Sequence, residues 1–124
     1  SGKEIAARYI YLNSNRVGGP FICISCASIE PDRMEEVLFG TENNSLVTPG
    51  LLEQANNGVL FFDEVADMPK GTQSKILRVL VEQAFTRVYG NNLVRVDLRV
   101  ISSTNKNLIS IGLDTRYYHN RLGH

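Results

Sequence analysis

The sequence predicts an α/β domain in which helices cover both faces of a mostly parallel sheet, giving a three-layer sandwich. Three continuous apolar runs begin at Phe21, Val59 and Leu98, and each is the length of a strand buried on both faces. Segments with helical periodicity separate these runs. We expect the strand Val59 to Asp63 at the centre of the sheet, flanked by the other two.

Length and charge limit the classes of protein that this chain can represent. It has 124 residues, 13 basic and 13 acidic, and a formal net charge of zero, so it is one domain or part of one, with no general electrostatic footprint for nucleic acid or an anionic membrane. No apolar run is long enough to span a membrane, and the N-terminal residues do not form a secretory signal. These features predict a cytosolic protein.

The two cysteines form a C-x-x-C pair, Cys23 and Cys26, within the first apolar run. A zinc site of the common kind needs a second such pair, and a redox pair is expected at the start of a helix. Their odd spacing places them on opposite faces of a strand. The sequence therefore predicts buried structural thiols.

The run Val59 to Phe62 ends in two adjacent carboxylates, Asp63 and Glu64. Ligands of open α/β sheets bind at the carboxyl ends of the strands. There one acid can hold a hydrated divalent cation while the other orients or deprotonates a water molecule, which is the arrangement of a Walker B element. The alternative is that the strand simply reaches solvent at this point.

The first four residues are Ser1-Gly2-Lys3-Glu4, and apolar residues at helical spacing follow them. A helix N-terminus offers free N–H groups to phosphate, and a lysine adds a positive charge. A complete P-loop also needs an upstream glycine and strand, which we expect before Ser1, and it usually has Ser or Thr where this chain has Glu4.

The remaining segments combine helices, turns and loops. The third apolar run ends in Thr104 and Asn105, which in a parallel sheet would lie near Asp63 and Glu64; these two residues also suit a turn into Lys106–Leu108. The other predicted elements are a short helix from Pro31 to Phe39, a mobile loop from Gly40 to Gly50, a helical turn from Leu51 to Ala55, an amphipathic helix from Thr72 to Ala84 with Ile76, Leu77, Val79, Leu80 and Ala84 on one face, and a β-hairpin from Phe85 to Val96.

Several of these motifs, taken in order, resemble the central AAA+ ATPase domain of bacterial sigma-54-dependent transcription activators. In that family the P-loop ends in Gly-Lys-Glu, so Glu4 is expected. The sequences around Leu51 and Asp63 most resemble a nitrogen-regulation response regulator. The matching segments are Ser1–Glu4, Pro20–Ile22, Cys26–Ala27, Leu38–Gly40, Gly50–Val65, Gln73–Leu80, Asp97–Ile101 and Thr104–Asn105.

The resemblance implies a P-loop NTPase (AAA+) fold, truncated at both ends, with ATP and Mg²⁺ as cofactors. It implies that Gly2, Lys3 and Glu4 belong to the nucleotide-binding turn, with Lys3 on the β- and γ-phosphates. Asp63 would hold Mg²⁺ through water and Glu64 would polarise the attacking water. Thr104 and Asn105 would form sensor I, which reports the state of the γ-phosphate.

Three segments depart from the family pattern. The loop from Gly40 to Gly50 is shorter than usual and lacks the Gly-Ala-Phe-Thr-Gly-Ala sequence that grips sigma-54. Ser25 stands where the family usually has an asparagine that moves the catalytic glutamate. The segment from Thr115 to Leu122 is one residue short between Arg116 and Arg121, the two residues that the resemblance assigns as arginine fingers acting on a neighbouring subunit.

The resemblance also implies partners that this chain does not itself include. We expect residues 1–124 to be part of an AAA+ domain that lacks the first part of the P-loop and the helical lid. A receiver domain would link it to a sensor kinase, a helix-turn-helix domain would bind DNA, and the assembled ring would act on RNA polymerase holoenzyme. The alternative function is a nucleotide-responsive oligomerisation module that does not hydrolyse ATP or engage sigma-54.

Overall fold

A computed structural model of the chain describes residues 2–103, together with the backbone of residues 108–111. Within these ranges, two 3₁₀ turns, Cys26–Ser28 and Val65–Asp67, follow the first and fourth strands. The helices are α1 (Gly2–Leu12), α2 (Met34–Phe39), α3 (Leu51–Gln54) and α4 (Lys70–Glu82), and the strands are β1 (Phe21–Ser25), β2 (Gly40–Asn43), β3 (Leu46–Pro49), β4 (Val59–Asp63), β5 (Ala84–Thr86), β6 (Leu93–Arg95), β7 (Arg99–Ser103) and β8 (Leu108–Ile111).

The main sheet has the strand order β1-β4-β7-β8, which confirms the predicted central position of β4. Strands β1, β4 and β7 are parallel, and Phe21 and Arg99 both pair with Val59. The edge strand β8 runs antiparallel to β7 and was not predicted, because its first residue, Leu108, was assigned to a turn. The α/β fold class with a mostly parallel sheet is confirmed.

Alternate residues of the central strand contribute to two separate hydrophobic clusters. Val59 and Phe61 pack with Ala7 and Tyr11 of α1, and Ile101 of β7 completes this smaller cluster. The larger cluster lies on the opposite face of the sheet and contains the other two apolar residues of β4 together with buried residues of α2, α3, α4 and β5. Helices therefore cover both faces of the sheet, as in a three-layer sandwich.

The segment Gly40 to Gly50, predicted as a mobile loop, contains the β-hairpin formed by β2 and β3, which the sequence did not predict. Asn44 and Ser45 adopt positive φ angles of 50° and 74°, which is the backbone of a tight two-residue hairpin turn. The hairpin predicted between Phe85 and Val96 is confirmed as the antiparallel pair β5–β6. A backbone bridge between Thr41 and Val88 joins the two hairpins.

Two predicted helices begin elsewhere. Residues 31–33 form a turn, so α2 starts at Met34, and α4 occupies Lys70–Glu82 rather than Thr72 to Ala84. Leu77 was expected on the buried face of α4, but its side chain is exposed, since Ile76 and Val79 lie on the face directed at the sheet. None of the helices in residues 2–103 is both long and apolar enough to cross a lipid bilayer.

The cysteine prediction was half correct. Cys26 is buried, although it lies in the 3₁₀ turn after β1 rather than within the strand. Cys23 is exposed, because β1 is an edge strand of the sheet and the Cys23 side chain lies at the border of α1. Burial raises the pKa of the Cys26 thiol to about 11, and nearby Asp67 and Asp63 contribute to the increase.

Candidate nucleotide site

The carboxyl ends of the three parallel strands lie side by side at one end of the main sheet, and this end is the edge referred to below. β1 ends at Ser25, β4 at Asp63 and β7 at Ser103. Ser25 is directly in register with Asp63, and Phe62 is in register with Ser102, one residue before Ser103. The three polar residues are therefore adjacent, at the edge where ligands of parallel α/β sheets bind.

Helix α1 runs antiparallel to these strands, so its first turn lies at the same edge. Near its C-terminal end, the Tyr11 ring stacks 4.9 Å from Phe21 at the start of β1, and the Tyr11 hydroxyl donates to the carbonyl of Gly19 at 2.5 Å. At its other end, the Glu4 carboxylate lies close enough to Cys23 to add to the increase in pKa that partial desolvation of this otherwise exposed thiol produces. Lys3, one residue earlier, is thus brought to the edge formed by the strand tips.

Asp63 lies on the α1 side of the sheet, because it follows Val59 and Phe61 in the strand alternation. Glu64 comes immediately after the strand and has a left-handed backbone, with φ 57° and ψ 64°. Such a conformation is unfavourable for residues other than glycine and persists only when the surroundings stabilise it. A continuing strand would place the Asp63 and Glu64 side chains on opposite faces of the sheet, and the left-handed backbone at Glu64 ends that alternation.

Ser103 contacts both members of the acidic pair, and sequence reasoning did not identify it. Its hydroxyl donates to Oδ1 of Asp63 at 3.0 Å and accepts the backbone N–H of Glu64 at 3.1 Å. The sequence offered no signal specific to Ser103, because Arg99 and Ser102 of the same strand are polar as well.

Ser25 does not reproduce the glutamate contact that the resemblance implied for this position. Its side chain is exposed, and its backbone carbonyl accepts the hydroxyl of Ser28 at 2.8 Å. Within residues 2–103, no hydrogen bond connects the Ser25 hydroxyl with Glu64. Among the described residues, it is the Glu64 backbone N–H that is held, by the hydroxyl of Ser103.

The donor set at this edge suits magnesium bound together with a nucleotide. In the described part of the chain, no three Asp, Glu, His or Cys side chains converge on one point, so the protein does not supply a complete metal cage there. Mg²⁺ characteristically keeps several water molecules and takes one or two carboxylates plus substrate phosphates. The partly buried carboxylate of Asp63 provides such a ligand or a hydrogen-bond acceptor for a metal-bound water.

The other site residues predicted from the sequence lie outside the described residues. These are Thr104 and Asn105, assigned to sensor I, and Arg116 and Arg121, assigned as arginine fingers. Of the predicted set, the structure therefore brings together the first turn of α1, Ser25, Asp63 and Glu64.

Comparison with known proteins identifies the family. The profile of the Sigma-54 interaction domain matches residues 1–121. The chain belongs to the sigma-54 interaction domain family. It is 51% identical over 110 residues to the nitrogen assimilation regulatory protein NtrX of Azorhizobium caulinodans, a match that covers 87% of this chain and 24% of that protein. It is also 42% identical over 113 residues to the transcriptional regulator NtrC of Klebsiella pneumoniae, with the same two coverages.

Solved structures agree with this assignment to the sigma-54 interaction domain family. A crystal structure of NtrX from Brucella abortus superimposes with a TM-score of 0.80 at 54% identity, covering 86% of this chain and 24% of that one. NtrX from the same organism in complex with ATP gives a TM-score of 0.77 at 48% identity, covering 98% and 26%. The resemblance to nitrogen-regulation response regulators is thus confirmed, and the chain spans about a quarter of the length of these relatives.

Proposed function

We propose that this domain binds ATP and hydrolyses it to ADP and phosphate within a cytoplasmic, DNA-binding response regulator of the NtrX type. The observation that carries the proposal is the convergence of the first turn of α1 with Asp63 and Glu64 at one edge of the sheet. The relative from Brucella abortus, in complex with ATP and with ADP, supports the choice of nucleotide.

Each residue has a specific role in this proposal. The backbone N–H groups of Gly2, Lys3 and Glu4 and the ammonium group of Lys3 hold the phosphates at the start of α1, where free N–H groups and the lysine charge favour anions. Asp63 would hold Mg²⁺ through its water shell, and the bound ion would supply positive charge that stabilises the phosphate oxygens. Glu64 orients and deprotonates the attacking water.

The residues outside the described ranges complete the proposed reaction. Thr104 and Asn105 follow β7 directly in the chain and would sense the γ-phosphate. Arg116 and Arg121 would act on the nucleotide of a neighbouring subunit, which requires a ring of subunits. Arginine suits this role because its planar guanidinium can bind two phosphate oxygens together.

A second candidate concerns the partner and rests on the β2–β3 hairpin. No residue from Thr41 to Gly50 is aromatic, and the sizeable apolar side chains Leu46 and Val47 are 72% and 40% exposed. Buried aromatic rings supply much of the affinity of protein interfaces. We therefore propose that the regulator acts by occupying DNA beside RNA polymerase and does not open sigma-54 promoters by itself.

ATP binding and turnover by the full-length protein, with and without phosphorylation, test the first proposal. Lys3→Ala should weaken ATP binding, while Glu64→Gln should keep binding and abolish turnover. Loss of ATP turnover without loss of ATP binding in Glu64→Gln would assign the hydrolytic step to this site. Unchanged ATP affinity in Lys3→Ala contradicts the site assignment, and an absence of turnover in the wild type with normal binding favours the non-hydrolysing oligomerisation module.

A reconstituted transcription assay tests the second proposal. The full-length protein, ATP and sigma-54 polymerase are combined on a promoter with the appropriate upstream site, and open complexes are counted by permanganate footprinting. We expect none above background, with a regulator that has the complete grip sequence as the positive control. ATP-dependent opening would show that another surface holds the sigma factor.

A further inference from the structure

Ser103 has a buried hydroxyl that forms hydrogen bonds with both members of the acidic pair, Asp63 and Glu64. It is 0% exposed at the end of β7. A hydroxyl carries one proton, and that proton is directed at Oδ1 of Asp63, while an oxygen lone pair accepts the N–H of Glu64. One side chain therefore sets the orientation of the Asp63 carboxylate and the backbone of Glu64 at the same time.

The contact with Glu64 is made at the point where β4 leaves the sheet. The parallel ladder between β4 and β7 ends with Phe62 and Ser102, so the Glu64 N–H lies beyond the last paired residues. Ser103 supplies the missing acceptor from its side chain. Because the Glu64 backbone is left-handed, loss of this bond would favour a more common backbone conformation and would turn its carboxylate in another direction.

The contact with Asp63 selects which carboxylate oxygen is available to a ligand. Oδ1 is engaged by Ser103, so Oδ2 remains for the water shell of a cation bound with the nucleotide. β1 borders Asp63 on the other side, where Ser25 is in register with it. The carboxylate is thus held from the β7 side.

We propose that Ser103 is a positioning residue for nucleotide hydrolysis, which fixes the direction of the Asp63 and Glu64 carboxylates relative to the bound nucleotide. The inference rests on the proposed ATP hydrolysis. A solely structural role would require only that a buried hydroxyl be satisfied, and the consequences of its loss would then be confined to folding stability. The two roles differ in their effects on turnover, on the Mg²⁺ dependence of binding and on the Glu64 backbone.

The test uses the full-length protein with Ser103→Ala and the matched control Ser102→Ala. Ser102 is the neighbouring buried serine of β7, lies on the other face of the strand and makes no hydrogen bond to the acidic pair within the described residues. Three quantities are measured: kcat and KM for ATP, ADP affinity with Mg²⁺ and with EDTA, and hydrogen exchange of the Glu64 amide without nucleotide.

We expect Ser103→Ala to lower kcat about tenfold or more, in the range found for residues that orient ligands of a metal. ADP affinity in EDTA should stay within about twofold, while the gain in affinity from Mg²⁺ shrinks and the Glu64 amide exchanges faster. Ser102→Ala should leave all three quantities near the wild-type values. Ser103→Cys, which keeps the size and weakens the hydrogen bonds, should give intermediate values and serves if Ser103→Ala does not fold.

Two results would overturn the inference. One is a wild-type kcat in Ser103→Ala with unchanged exchange of the Glu64 amide, and the other is an equal loss of kcat in Ser103→Ala and Ser102→Ala. If the wild-type protein itself does not hydrolyse ATP, the proposed function fails, yet the Glu64 amide and the Mg²⁺-dependent ADP affinity still decide whether Ser103 positions the pair.

Discussion

Arg87 joins the two hairpins to α3, and its removal is the most informative perturbation of the fold. Its guanidinium binds Glu53 through two parallel bonds of 2.8 Å and Glu42 through a third of 2.9 Å. The three side chains are only 15%, 19% and 14% exposed. Hydrogen bonds to the Glu53 and Glu42 carboxylates raise the pKa of Arg87, so its guanidinium is charged at neutral pH.

Arg87→Met keeps most of the apolar side-chain volume and leaves Glu42 and Glu53 facing each other with no cation between them. Removing one partner of a buried ion pair lowers stability by about 3 kcal/mol at the lower end of the known range. We use this lower value because the three side chains retain some contact with water. That loss corresponds to about a hundredfold increase in the equilibrium constant for opening of the hairpins.

Hydrogen exchange of the full-length protein, read by mass spectrometry on peptides from residues 40–50 and 84–96, measures this opening. Both peptides should exchange faster together. Arg78→Met is the matched control, since Arg78 forms an exposed ion pair with Glu82. This substitution should change the free energy of hairpin opening by less than about 0.5 kcal/mol. Adding Glu42→Gln and Glu53→Gln to Arg87→Met should recover part of the protection. Unchanged exchange in both hairpins would refute the role of the buried pair.

Three further predictions concern the thiols, acid stability and one glycine. A maleimide should modify exposed Cys23 well before Cys26, whose thiol is buried with a pKa of about 11; equal rates by mass spectrometry would contradict the buried position of Cys26. The hydrogen bond from Arg16 is the main cause that lowers the pKa of Asp97 in the folded protein. The ionised Asp97 therefore stabilises the fold above its ordinary pKa of about 3.9, and this stabilisation is lost as the pH falls through the lower folded pKa. Asp97→Asn should therefore flatten the acid limb of a plot of Tm against pH, and an unaltered limb would refute this. Gly58→Ala places a Cβ 2.0 Å from a backbone carbonyl oxygen and should lower the free energy of unfolding by about 2 kcal/mol. Gly71→Ala, whose Cβ would have no atom within 4 Å, should keep or raise the Tm. Equal Tm values for the two variants would contradict this prediction.

The strands of the main sheet could be predicted because the residues that determine each strand are consecutive in the sequence. A continuous apolar run such as Val59 to Phe62 requires burial on both faces, and the acids that follow must lie at its end. The central position of β4 between β1 and β7 was predicted from the three apolar runs and the helical segments that separate them, and the observed strand order confirms it.

The first hairpin and Ser103 could not be predicted because their stabilising contacts are distant in sequence. The strands β2 and β3 lack a clear alternation of apolar residues, and the hairpin depends on Glu42 binding Arg87, 45 residues away. Asn44-Ser45 is a weaker turn signal than Asn-Gly. Likewise, the hydroxyl of Ser103 meets Asp63 only after two strands have paired, 40 residues apart.

The alternation along β4 has a mechanical consequence for the whole domain. Asp63 stands at the edge of the sheet that we propose binds the nucleotide, while its neighbour Phe62 is buried on the opposite face, in the same cluster as Phe39 and Phe85 at the bases of the two hairpins. Protein interiors are close-packed and transmit displacement with little loss. A tilt of the central strand would therefore displace side chains on both faces of the sheet together, and it would couple the edge proposed to bind the nucleotide to the bases of the two hairpins.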